Sequence, residues 1–132
     1  MLADLPGTIA PLGDLVYQDG TQVPPTPAVR PLFDALYKAG AEVVLNGHQH
    51  NYERFAPQDA DSNLVPQGTR EFVVGTGGAQ LEDFVTVAKN SKLRYVAGHG
   101  VLRMTLSPGK CSWNFLPVPG APPADSGFAN CM

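Results

Sequence analysis

Two imidazoles stand two residues apart in Leu45-Asn-Gly-His-Gln-His-Asn-Tyr-Glu-Arg54, directly after a short apolar run. Presented from the end of a strand, His48 and His50 make a natural chelating pair for a divalent metal, although two solvated loop histidines would share the same spacing. Gly47, Tyr52, Glu53 and Arg54 make the string far rarer than the spacing alone. Upstream, Asp14 and Tyr17 lie three residues apart and would add a carboxylate and a phenolate. Carboxylate, phenolate and imidazole together suit hard to borderline cations such as Fe, Mn or Zn rather than the thiolate sites of structural zinc. A carboxylate can bridge two metals, and two ions about 3.5–4 Å apart can clamp a phosphate for in-line attack. Without the histidines, Asp14 reads as a turn-capping acid and Tyr17 as a half-buried aromatic.

These residues need elements to position them. Residues 7–13 read as a short apolar strand that runs into the acid- and glycine-rich turn of residues 14–20, placing Asp14 at a strand's carboxyl end. Thr26 before Pro27 resembles an N-cap with proline at the first helical position, and the helix is expected to run to about Ala39. Val29, Leu32, Phe33, Leu36 and Tyr37 give it one apolar stripe, and Gly40 supplies the stop. Residues 41–46 are then a buried strand, completing half of a crossover unit with parallel-sheet behaviour. The histidines follow at its carboxyl end, where α/β sheets usually bind ligands. Residues 55–69 have no apolar period and read as a long surface loop; residues 70–74 are a strand ended by Gly75-Thr-Gly-Gly78; residues 79–98 are ambiguous. Residues 100–106 and 111–116 alternate as an antiparallel hairpin, and extended coil is expected beyond Pro117.

The length of 132 residues fits one domain, and 14 Gly with 13 Pro point to many turns and little helix. A net charge of −3 without a basic cluster leaves no footprint for nucleic acid. No segment approaches a membrane span, and Met1-Leu-Ala-Asp-Leu-Pro-Gly7 lacks the basic start expected of a secretory signal. Cys111 and Cys131 are compatible with a disulfide or with free thiols.

Gly47-His-Gln-His-Asn-Tyr-Glu-Arg54 resembles the last metal-binding block of the calcineurin-like metallophosphoesterases, in the form used by purple acid phosphatases and their bacterial relatives. Gly13-Asp-Leu-Val-Tyr17 is similar to the family's earlier Gly-Asp-x-x-Tyr block, and residues 27–37, residues 70–78 and the Trp113 hairpin look like its C-terminal half. The resemblance implies an α/β fold, a partial sandwich of mixed sheets flanked by helices. It also implies two metal ions (Fe, Zn or Mn) and hydrolysis of a small phosphoric ester by a metal-bound hydroxide. Asp14 would bridge both metals, Tyr17 and His50 would bind the first and His48 the second. Asn46, Tyr52, Glu53 and Arg54 would brace the histidine loop from behind. Gly75 to Gly78 would be a tight turn beside the metals, and His99 a loop histidine.

The family's initial Asp block, its Gly-Asn-His block and a further metal-binding His have no counterpart here, so no catalytic residue is assigned. The expected organisation is a single partial domain with an internal deletion near Val23 to Thr26: residues 1–22 a remnant of the tyrosine block, 27–120 the C-terminal metal-binding half, and 121–132 an extended tail. The competing expectation is a catalytically inactive remnant that acts at most as a metal-binding or interaction module.

Overall fold

The computed structural model describes residues 29–131. Its elements run α1 (Arg30–Lys38), β1 (Val43–Asn46), β2 (Tyr52–Phe55), β3 (Arg70–Val74), β4 (Ser91–Tyr95), β5 (Gly100–Ser107), β6 (Lys110–Pro117) and β7 (Ser126–Asn130). The first four strands form one sheet in the order β1-β3-β2-β4, and the last three form a second sheet in sequence order. In the first, β1 and β3 are parallel while β2 runs antiparallel to both β3 and β4. The second is an antiparallel meander.

Helix α1 begins later than its expected start at Pro27: Val29 is the N-cap, without a side-chain cap, and Pro31 falls in the first turn where its missing N–H costs nothing. Thr26 lies outside the described residues. At the other end Gly40 takes φ +75°, so that its N–H reaches the Tyr37 carbonyl and the Ala41 N–H reaches that of Leu36. This is the Schellman arrangement, and it turns the chain straight into β1.

Alternation along each strand then builds three layers. Val43, Tyr52, Phe72 and Tyr95 project from the first sheet onto Cys111, Trp113 and Phe115 of β6. The Phe72 ring meets Trp113 edge-on at 5.4 Å between centroids, and Tyr52 and Tyr95 both pack on Phe115. On the opposite face Val44 packs with Phe33 and Leu36 of α1, and Phe55 and Val73 pack with Ala88. The first sheet is mixed, as expected; the second is wholly antiparallel, and of it only the β5–β6 hairpin was expected. Helical flanking of the sandwich is not seen among the described residues beyond the single short α1, which covers one face of one sheet.

Three strands were not expected. β2 follows the histidines directly, β4 lies in the ambiguous stretch, and β7 replaces the extended coil expected beyond Pro117. The loop of residues 56–69 is also more embedded than a surface loop: Ala60 joins the α1 core, and Gln58 bridges to Leu64 and Thr69. Cys111 and Cys131 form a disulfide, with Cα atoms 5.9 Å apart, that ties the chain beyond β7 to the start of β6.

Candidate functional site

The histidine loop leaves the carboxyl end of β1. The Gln49 N–H donates to the Gly47 carbonyl at 3.0 Å, and the Asn51 N–H donates to the Gln49 carbonyl at 2.8 Å. Two successive γ-turns therefore carry His48 and His50 at their centres. His48 sits at φ +70°, in the left-handed region that a side chain other than glycine rarely enters. A strained backbone of this kind costs about 1–3 kcal/mol and persists where the surroundings impose it. Here the surroundings are the end of β3: the Gly75 N–H donates to the Asn51 carbonyl, and a Cβ at Gly75 would run into the Gln49 carbonyl group. Only glycine lets β3 approach so closely. Gly75 is thus pressed against the histidine loop, while Gly77 and Gly78 beyond it stand clear of other atoms.

His50 is oriented by the following segment. Its Nδ1 lies 3.0 Å from the Gln80 carbonyl oxygen, its own carbonyl accepts the Glu82 N–H, and the Glu82 carboxylate stands 3.8 Å from Nδ1. A carbonyl only accepts, so Nδ1 carries a proton, and in the neutral ring Nε2 then holds the lone pair. A backbone carbonyl on one ring nitrogen with the other left as donor atom is the arrangement found behind metal-binding histidines. His99 reaches the same segment, with Nε2 2.8 Å from the Ala79 carbonyl. Gln80, Glu82 and His99 lie about thirty or more residues beyond the histidine pair, and no spacing in the sequence joins them to it.

The flanking residues divide by face. Asn46 and Glu53 point to the α1 side of the first sheet, where the Asn46 amide donates to Glu71. Burial pushes the Glu53 carboxyl above its usual range, against a hydrogen bond from Ser91 and the positive charge of Arg94. Tyr52 and Arg54 point the other way, into the sandwich, where both bind Asp125. The Tyr52 hydroxyl donates to it at 2.7 Å, Arg54 Nε at 2.7 Å and Nη2 at 3.2 Å, and Trp113 Nε1 at 3.1 Å. Burial, and then this carboxylate, hold the Tyr52 hydroxyl protonated well above the usual tyrosine range. The Tyr-Glu-Arg string therefore has two partner sets, one on each side of β2. Asp125, from a proline-rich stretch, gave no sequence signal.

Asp14 and Tyr17 lie outside the described residues. Among the described residues no group of three or more His, Cys, Asp and Glu side chains converges as a metal site. The two histidines of the loop are His48, which is exposed, and His50, which is half-buried with its Nδ1 at the Gln80 carbonyl. By donor type alone, two imidazoles suit a borderline divalent cation. A cavity of about 500 Å³ lies elsewhere, beside Glu42, Val43, Arg70 and the disulfide, at the strand ends opposite the histidine loop.

No family model and no curated protein sequence matches this chain. Among solved structures it is similar to a purple acid phosphatase from seeds of yellow lupin (Lupinus luteus), with 24% identity and a TM-score of 0.64 over 75% of this chain. The likeness is one of fold. The chain spans 19% of the length of that protein.

Proposed function

We propose that this chain carries part of the site of a metal-dependent phosphoric ester hydrolase, with His48 and His50 as its metal ligands. The observation that supports this reading best is the histidine loop itself. A non-glycine residue is held at positive φ, and the ring two residues on has its Nδ1 proton committed to a backbone carbonyl. Fold likeness to a purple acid phosphatase agrees with it at the level of architecture.

Asp14 and Tyr17 are proposed as the further oxygen ligands, and each of the two histidines is proposed to serve a different ion. Metal ions bound at such a site polarise the phosphoryl group and generate a nucleophile from water at neutral pH. The chain's own residues supply the positioning. Gln80 fixes the His50 tautomer, Gly75 permits β3 to press the loop into its γ-turns, and Asn46 anchors the strand end from which the loop departs. Glu82 places its carboxylate 3.8 Å from the His50 Nδ1. A small phosphate ester is the proposed substrate class.

The test is hydrolysis of a chromogenic phosphomonoester by the full chain reconstituted with Zn²⁺, Mn²⁺ or Fe, alongside His48→Ala and His50→Ala. Activity that falls at least about 100-fold in both variants supports the reading. Activity equal in all three chains would show it to be a contaminant and leave the inactive remnant as the better description.

A further inference from the structure

The α1-side face of the first sheet holds three polar side chains among apolar ones. Asn46, Glu53 and Glu71 are 4%, 2% and 5% exposed. The strand register brings them together: Asn46 and Glu53 both pair with Val73 of the central strand, and Glu71 lies two residues earlier on that strand and on the same face. Asn46 Nδ2 donates to Glu71 Oε1 at 2.5 Å. Asn46 Oδ1 and Glu53 Oε1 are buried without a hydrogen-bond partner.

The difficulty is one of donors. Ionised carboxylates only accept, and a buried acceptor left unmade is costly. Two ionised carboxylates on one dry face also repel each other. A single proton relieves both problems, because it turns one carboxyl into a donor and removes one of the two charges.

We propose that Glu53 and Glu71 hold one proton between them in the folded chain, and that this pair latches the histidine loop through Asn46, the last residue of β1 before Gly47 and His48. The setting agrees with the geometry: burial, and then the neighbouring Glu53 charge, push the Glu71 carboxyl up to about 7, against the hydrogen bond from Asn46. On β4, Ser91 and Arg94 act on Glu53 in the opposite sense. β1 contributes the uncharged Asn46. α1 packs on this face through Phe33 and Leu36, while its Asp34 and Lys38 pair with each other. The loop of residues 56–69 contributes Ala60, its Asp59 being bonded to Asn63 and its Asp61 to Arg30, and the segment before β4 contributes Ala88.

The shared proton stands on the buried cluster alone; only its consequence for a metal rests on the function proposed above. The test is carboxyl ¹³C and side-chain amide NMR of the full chain, free of metal, between pH 4 and 9. One of the two carboxyls is expected to stay protonated beyond pH 6, with the Asn46 amide signal moving at the same pH. In Glu71→Gln, whose amide mimics the protonated acid, that movement should vanish. Both carboxyls ionised by pH 5.5, or an Asn46 step that persists in Glu71→Gln, would overturn the latch. If Glu71→Gln does not fold, the carboxyl titration of the unaltered chain decides by itself. Failure of Zn²⁺ to bind the histidines while this titration is intact counts against the phosphoesterase reading and leaves the shared proton supported.

Discussion

Replacing Asp125 by alanine should be the most damaging single change away from the histidines. Its side chain is 3% exposed and accepts hydrogen bonds from three residues on two strands: Tyr52 and Arg54 of β2 and Trp113 of β6. It therefore joins the two sheets through their shared core. Its removal leaves the Arg54 guanidinium, with 16% of its side chain exposed, without a counterion, and orphans the Tyr52 hydroxyl and the indole N–H. Breaking a buried ion pair by deleting one partner costs about 3–5 kcal/mol, and each orphaned neutral donor about 1–3 kcal/mol more where water cannot reach it. These terms are not additive, and partial access of water to Arg54 reduces them, so the expected loss is about 4 kcal/mol. That is a large share of the roughly 5–15 kcal/mol that holds a domain of this size. Urea unfolding should show the midpoint falling with the slope unchanged. The double variant Arg54→Met with Asp125→Ala should recover at least about 1 kcal/mol, because the Arg54 charge is removed together with its partner. A loss below about 1 kcal/mol for Asp125→Ala, or a double variant no more stable than the single one, would refute the account of this network.

Three other outcomes follow from the same geometry. Gly75→Ala drives a Cβ into the Gln49 carbonyl group, which should cost about 2 kcal/mol in thermal unfolding and weaken Zn²⁺ binding in calorimetry by shifting the histidine loop. Reduction of the Cys111–Cys131 disulfide, which spans 20 residues, should lower stability by about 3 kcal/mol in urea unfolding with and without reductant. Glu71 supplies a pH dependence: its folded carboxyl stands at about 7 against an ordinary 4.5, so the folded chain holds a proton that the unfolded chain gives up. The contribution of this group is then fully present below about pH 4.5 and is lost as the pH rises through 7. At 1.36 kcal/mol per tenfold change in proton affinity the fall attributable to this group is about 3 kcal/mol, and Glu71→Gln should flatten the profile.

The sequence carried the elements whose apolar period is clean. α1 with its Gly40 stop, β1, β3 and the β5–β6 hairpin all follow from alternation or three- and four-residue steps. β2 was hidden because Tyr52, Glu53 and Arg54 bury polar groups on both faces of the strand, so polarity does not alternate. β4 is a sheet edge, with Lys92 and Arg94 exposed and only Leu93 and Tyr95 facing inward. β7 inverts the usual pattern: Gly127 faces Trp113, where a Cβ would strike the indole, and Phe128 on the outer side is 69% exposed. A strand whose inner residue is glycine and whose outer one is phenylalanine cannot be recognised until the tryptophan it fits is known. The same holds at the candidate site. The His48-Gln49-His50 spacing was visible, but Gln80, Gly75, Glu71 and Asp125 act through long-range pairings that only the sheet register reveals.

The central claim is that His48 and His50 are metal ligands, and calorimetric titration of the metal-free chain with Zn²⁺ and Mn²⁺ at pH 7 tests it most directly. Saturable binding that weakens at least about 10-fold in both His48→Ala and His50→Ala, with the folded signal retained, is the predicted result. Binding that is absent, or that survives both substitutions unchanged, would contradict it.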